Sequence, residues 1–250
     1  MRKVRIIVST ALIVLGLLSA APAVPVALVL LPLMGSRCRA VEAPVALILT
    51  LMLAPTLVLL ALAVRAESPG AGLFRHRRVG RGGKPFTVLK FRTMRADVDP
   101  YGHSPHAGDD PRLTPVGRFL RETSLDELPQ LLNVVAGQMS LVGPRPLYER
   151  QAAEWDARQR RRLEVRPGIT GYAQAFGRAG LTIEEKLELD TEYVETRSFW
   201  LDIRIFGKTI ANAVTGRGDV YEHRYSRDRE FERRPDRDSK AGEGETDRPT

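Results

Sequence analysis

Asp126 and Glu127 stand side by side in SLDELPQLLNVVAGQMSLVGPRP, and Arg118, Arg121 and Arg145 flank them. Two like charges in contact are hard to ionise together unless cations or a metal compensate. Adjacent carboxylates ringed by guanidinium groups therefore suit phosphate chemistry with a divalent metal. Gly143-Pro144-Arg145-Pro146 reads as a rigid turn presenting one arginine, whose planar fork can grip phosphate oxygens through two parallel hydrogen bonds. The same letters admit a structural reading. Ser124-Leu125-Asp126-Glu127 fits a capping box, with Glu127 bonding back to the backbone of Ser124.

The elements around the dyad must position it. Pro129 is tolerated within a first helical turn, where its missing N–H has no intrahelical role. The pattern predicts a helix starting near Ser124 to Asp126, running to Ala136 and ending at Gly137. The dyad would then lie at a helix N-terminus, which favours anions. Upstream, Leu73–Val79 and Pro85–Phe91 flank Gly80-Arg81-Gly82-Gly83-Lys84 and predict a β-hairpin. That loop lacks the spacing of a phosphate-binding P-loop. Lys90 and Arg92 close the second strand. Residues 96–111 form a loop, and His103, His106, Asp109 and Asp110 have no regular scaffold to hold a metal. Downstream, Leu147–Glu164 reads as a charged helix carrying Trp155, with Arg158, Arg160, Arg161 and Arg162 either solvated or facing anionic headgroups. Thr182–Arg197 reads as helix. Phe199–Val214 reads as an amphipathic helix, suited to an interface or to ordinary packing.

The 250 residues carry a net charge of +8, which suits an anionic lipid surface or a phosphorylated substrate. Nucleic acid is the weaker partner, because no recognition-helix, zinc or aromatic–basic signature is present. A single cysteine, Cys38, excludes an intrachain disulfide. Two apolar stretches open the chain. The first, about 6–33 behind Arg2, Lys3 and Arg5, fits a signal peptide or a membrane helix, with Pro22, Pro25 and Pro32 in its second half. Met34, just beyond it, is a second candidate start. The other stretch, about 43–64, is uncharged and interrupted by Pro55. Arg37 and Arg39 precede it, and Arg65 and Arg75–Arg78 follow. Basic flanks on both sides favour both ends in the cytoplasm, as in a helix that enters and leaves by one face. A spanning helix kinked at Pro55 is the alternative. Beyond His223 the tail is nearly devoid of apolar residues and is expected to be disordered.

SLDELPQLLNVVAGQMSLVGPRP resembles the signature of the bacterial sugar transferases, the monotopic polyprenyl-phosphate hexose-1-phosphate transferases. The likeness extends to KFRTM at 90–94, DDPRLTPVGRFLR at 109–121 and RPGITGYAQAFGR at 166–178, and covers about residues 37–222 in order. It implies an α+β, predominantly helical fold: a re-entrant membrane helix over 37–66, a cytosolic domain over 67–222 with a β-hairpin and interfacial amphipathic helices, an apolar addition over 1–36 and a tail over 223–250. It implies Asp126 as the nucleophile towards a nucleoside-diphosphate sugar, usually a UDP-sugar, with UMP leaving. Glu127 would be the base for a polyprenyl phosphate acceptor. Lys90, Arg121 and Arg145 would bind phosphates. Arg112, Arg166 and Gln174 are candidate substrate-loop residues. Mg²⁺ would sit at Asp126, with Glu127 as a second candidate ligand. The expected setting is the inner membrane, with the catalytic domain on its cytoplasmic face and a homodimer as a candidate assembly. Glu42 departs from the family's usual aspartate, which bears on any pairing with Arg39. Two competitors make other demands: a metal-dependent membrane phosphohydrolase uses water as acceptor, and an exported basic polyanion-binding protein is cleaved near Ala21–Ala23.

Overall fold

The computed structural model describes residues 2–21, 39–98, 110–177 and 181–215. Helix α1 spans Arg2–Ala20 and α2 spans Arg39–Glu67. The hairpin follows, β1 over Leu73–Val79 and β2 over Pro85–Phe91, antiparallel with Leu73 opposite Phe91 and Val79 opposite Pro85. Its boundaries are the predicted ones. Gly82 and Gly83 take φ of 67° and 76° in the turn, where a side chain would be strained. Helix α3 is Pro115–Glu122. A 3₁₀ turn, Leu125–Gln130, then leads into the short α4, Leu131–Val135. Strands β3, Ser140–Val142, and β4, Gly168–Thr170, form a parallel pair that local patterning did not indicate. Short helices α5, Glu149–Ala153, and α6, Tyr172–Phe176, precede the longer α7, Ile183–Thr196, and α8, Phe199–Thr215. The architecture is mostly helical with small sheets, as expected.

Helix α2 lies along the rest of the domain. Val45, Ala46 and Leu49 share a core with Val88, Leu131 and Val134. Farther along, Leu60, Ala63 and Val64 share another with Phe91, Val116 and Leu120. Each fully buried leucine or valine side chain here contributes about 1.5–3 kcal/mol. Both ends of α2 are also tied by polar contacts. At its start, Glu42 accepts from Ser140 and forms an ion pair with Arg166. At its end, Glu67 accepts from the Val116 N–H at 2.9 Å, and the carbonyls of Ser68 and Pro69 accept from Arg92. The expected question of a Glu42–Arg39 pairing falls partly outside the described side chains. Among the described residues, 42–67 is the one helix long and apolar enough to cross a membrane; 7–20 is a shorter apolar segment.

Two predicted helices are corrected. The element from Ser124 to Gly137 is not one α-helix. Ser124 sits in the left-handed region at φ 56°, and the chain runs through the 3₁₀ turn before α4. Pro129 cannot donate a ladder bond, and α-helix begins only beyond it. The predicted end holds, for Gly137 takes φ 74°. The run 147–164 is broken as well, into α5 and a 3₁₀ segment over Gln159–Glu164. Asp156 draws the Gln159 N–H to its own carboxylate at 2.7 Å, a local bond that competes with helix. By contrast, α7 starts as read, with Thr182 and Glu185 forming a reciprocal capping box. His103, His106, Asp109, the tail beyond His223 and all of 22–33 lie outside the described residues.

Candidate active site

Asp126 and Glu127 sit in the 3₁₀ turn between α3 and α4, and Asp126 is buried. The capping-box reading fails: Ser124 makes no side-chain cap, and Glu127 turns away to cations. Lys90 reaches in from the end of β2, with Nζ 2.6 Å from Glu127 Oε1 and 3.9 Å from Asp126 Oδ2. Arg145 reaches in from the Gly-Pro-Arg-Pro turn and donates to the same Glu127 oxygen at 3.2 Å.

Each approach has a structural cause. Asn133 on α4 clamps β2: its Oδ1 accepts from the Leu89 N–H at 3.0 Å, and its amide donates to Thr87 O at 2.7 Å. That registers Lys90 against the dyad. Thr114 caps α3 by accepting from Gly117, as an N-cap should. Gly117 lets α3 press on the strand exit, since a Cβ there would meet Thr93 O at 1.9 Å. Arg145 is held from behind. Arg162 donates to the Arg145 carbonyl at 2.6 Å, pairs with Asp190 of α7 and stacks its guanidinium 4.7 Å from the Trp155 ring centre. Arg162 and Asp190 are 3% exposed each, so this is a buried ion pair.

Electrostatics separate the two carboxyls. Burial pushes both up. At Asp126 burial outweighs the Lys90 cation and, with the Glu127 charge added, raises the pKa to about 6; Arg121 and Arg145 pull weakly the other way. At Glu127 burial also presses upward, but Lys90 and Arg145, both bonded to it, override burial and hold it at about 2. Lys90 and Arg145 thus favour the charge on Glu127, while burial and the Glu127 charge work against the charge on Asp126. Burial also raises Asp190, to about 6, against the pull of Arg162.

The structure therefore brings Lys90, Asp126, Glu127 and Arg145 together, with the Arg121 charge near enough to act on Asp126. It ties the three candidate substrate-loop residues to other partners. Arg112 pairs with Asp110, whose carboxylate also accepts from the Arg112 N–H and orders the loop exit. Arg166 holds Glu42 at the start of α2. Gln174 donates to Ile169 O at 3.2 Å. Arg158 and Arg161 stay at the surface, as the solvated reading expected, and there they pair with Glu188 and Glu195 of α7. Sequence reading overlooked Asn133 and Asp190, and it placed Arg162 at a solvated or headgroup-facing surface where the structure buries it against Asp190. Only Asn133 carried a local signal, as a polar residue inside the apolar LLNVV.

Among the described residues no cluster of three or more His, Cys, Asp or Glu side chains is arranged to hold a metal. The donor set at the dyad is two carboxylates. That fits Mg²⁺, which commonly takes one or two protein carboxylates and completes its shell with substrate phosphates and water.

Comparison with known proteins gives this arrangement its setting. Residues 35–216 match the family described as bacterial sugar transferase. The UDP-glucose:undecaprenyl-phosphate glucose-1-phosphate transferase of Caulobacter vibrioides is 44% identical over 192 residues, covering 72% of this chain and 70% of that protein. The like-named Escherichia coli protein is 42% identical over 180 residues, which is 69% of this chain and 39% of that one. The exopolysaccharide production protein ExoY of Sinorhizobium fredii is 37% identical over 202 residues, 75% of this chain and 89% of its own length. With nearly all of the described globular part inside the match, the chain belongs to the bacterial sugar transferase family.

Proposed function

We propose that this transferase moves a sugar-1-phosphate from a nucleoside-diphosphate sugar, a UDP-sugar by analogy with its relatives, to polyprenyl phosphate. The observation that carries the reading is the buried Asp126–Glu127 pair met by Lys90 and Arg145 from two separate segments. An Asp126 oxygen attacks the sugar-proximal phosphorus. A phosphorus–oxygen bond forms to the carboxylate, the bridging pyrophosphate bond breaks, and UMP leaves with that electron pair. An oxygen of polyprenyl phosphate then attacks the same phosphorus and releases the Asp126 carboxylate. Glu127 accepts the proton of the acceptor if it arrives protonated. Lys90, Arg121 and Arg145 neutralise and orient the phosphates, where positioning and charge supply most of the rate. Asp126, with Glu127 as a second candidate ligand, would hold Mg²⁺, which would supply further charge neutralisation.

The burial of Asp126 supports its part in this division of labour. At neutral pH Asp126 is mostly ionised yet poorly solvated, which suits a nucleophile. The placement of α2 supports both of its ends lying on one side of the bilayer, and a re-entrant course would require the continuous helix Arg39–Glu67 to bend at Pro55. A straight 29-residue helix is about 43 Å long, yet polar and apolar contacts along its whole length reach one domain. A helix spanning the bilayer would carry one end away from that domain. The catalytic part then lies on the cytoplasmic face, where a soluble donor meets a lipid acceptor.

The test is Asp126→Asn in membrane fractions supplied with UDP-sugars and polyprenyl phosphate. UMP release should vanish while the protein still folds. Wild type given donor alone should gain the mass of a sugar-phosphate. Wild-type turnover in the variant defeats the assignment, and turnover needing no acceptor would make water the acceptor.

A further inference from the structure

Helix α1 lies outside the family match, which begins at residue 35. Its apolar run behind a basic start would suit a cleaved leader. The contacts say otherwise. Ser9, 1% exposed, donates to Glu67 Oε1 at 3.3 Å. Farther along, Thr56 donates to the Gly16 carbonyl at 2.9 Å, and the Ser19 hydroxyl lies 2.8 Å from that of Thr56. The pairings Ser9 with Glu67 and Ser19 with Thr56 make α1 antiparallel to the second half of α2. Its N-terminal end therefore lies beside the catalytic domain, and its C-terminal end reaches the level of Pro55.

The helices pack closely at Gly16: a Cβ there would already be in van der Waals contact, 3.5 Å from Leu59 Cβ and 3.7 Å from Thr56 O, with no room for a larger side chain. Small residues and hydroxyl bonds are what associate helices where no hydrophobic drive separates protein from lipid. The packing reaches further than α2. Leu12 and Ile13 close the core formed by Leu60, Ala63 and Val64 of α2 with Val116 and Leu120 of α3. The other oxygen of Glu67 accepts from the Val116 N–H, one of the first-turn donors that α3 cannot satisfy itself. Helix α3 carries Arg121, whose charge acts on Asp126.

We propose that α1 is a permanent brace of the catalytic unit, seated on the second half of α2 and holding α3 through Glu67, and is not a leader removed after export. Its outward side chains, Val14, Leu15 and Leu18, extend the apolar surface of Val58 and Leu62 that the lipid covers. This inference does not depend on the identity of the transferred group.

The experiment uses the full chain with a C-terminal tag, Cys38→Ser, and the pair Gly16→Cys with Leu59→Cys. The 3.5 Å spacing at that pair lies within the disulfide range of about 3.5–4.5 Å. Intact mass should show residues 1–21 retained. Mild oxidation should protect both thiols from a maleimide, with turnover unchanged, because the bond locks a contact already made. A control pair, Gly16→Cys with Leu47→Cys, should stay reactive, since Leu47 lies about 18 Å farther along α2. Gly16→Leu should lower Tm by about 2–10 °C by wedging the helices apart. A processed N-terminus, free thiols at the first pair, or turnover lost on oxidation and restored by reductant would each overturn the proposal. So would an unchanged Tm for Gly16→Leu.

Discussion

Lys90→Met removes one charge from the dyad while keeping most of the side chain's volume. Lys90 Nζ lies 2.6 Å from Glu127 and 3.9 Å from Asp126, and it is the cation that acts most on both. An opposite charge at such range lowers a carboxyl pKa by about one to three. Removing it should lift Asp126 from about 6 to roughly 7–9. The sign follows from the chemistry, since the carboxylate must be ionised to attack and a raised pKa leaves it protonated. At pH 7 the ionised fraction falls from about nine-tenths to between about a half and a hundredth. Protonation alone therefore costs about twofold to a hundredfold, and the lost phosphate contact adds a loss that pH does not cure. The assay is kcat/KM for UMP release from pH 5.5 to 9 at fixed Mg²⁺, which reports the free enzyme. Wild type should show an acid limb. The variant's limb should move upward, with partial recovery by pH 9. An unmoved limb under a uniformly lower rate would refute the electrostatic argument and leave Lys90 as a substrate ligand only. An unchanged rate would remove Lys90 from the site.

Other perturbations test separate links. Arg145→Lys keeps charge but loses the guanidinium fork, and turnover at saturating donor should fall by about one to three orders of magnitude. Arg158→Lys with Arg161→Lys should leave the chemical step nearly unchanged, because those exposed pairs with Glu188 and Glu195 lie on the α7 surface. Asp190→Asn strands the buried Arg162 charge and should destabilise the fold by about 3–5 kcal/mol, read as a lower Tm, with Arg145 misplaced in whatever folds. Single cysteines at Ser36 and Ala71, with Cys38 replaced, should both resist an impermeant reagent outside the cell; labelling at one end alone would establish a spanning helix.

Local chemistry was enough for several elements. The hairpin was legible because alternating strands and a glycine-rich turn carry their own signal, and the run from Thr182 was legible as helix. Asp126, Glu127, Lys90 and Arg145 were singled out by motif, and the fold gathers them. What the sequence could not determine was which charges would meet. Lys90 finds Glu127 across 37 residues, and Arg166 finds Glu42 across 124, tying down the start of α2. The charged run after Leu147 shows the same limit. Its arginines look alike in sequence, yet Arg162 is buried behind Arg145 while Arg158 stays at the surface. Neither propensity nor periodicity distinguishes them. The tertiary structure does, because desolvating a guanidinium is tolerable only where Asp190, Trp155 and a backbone carbonyl converge on it.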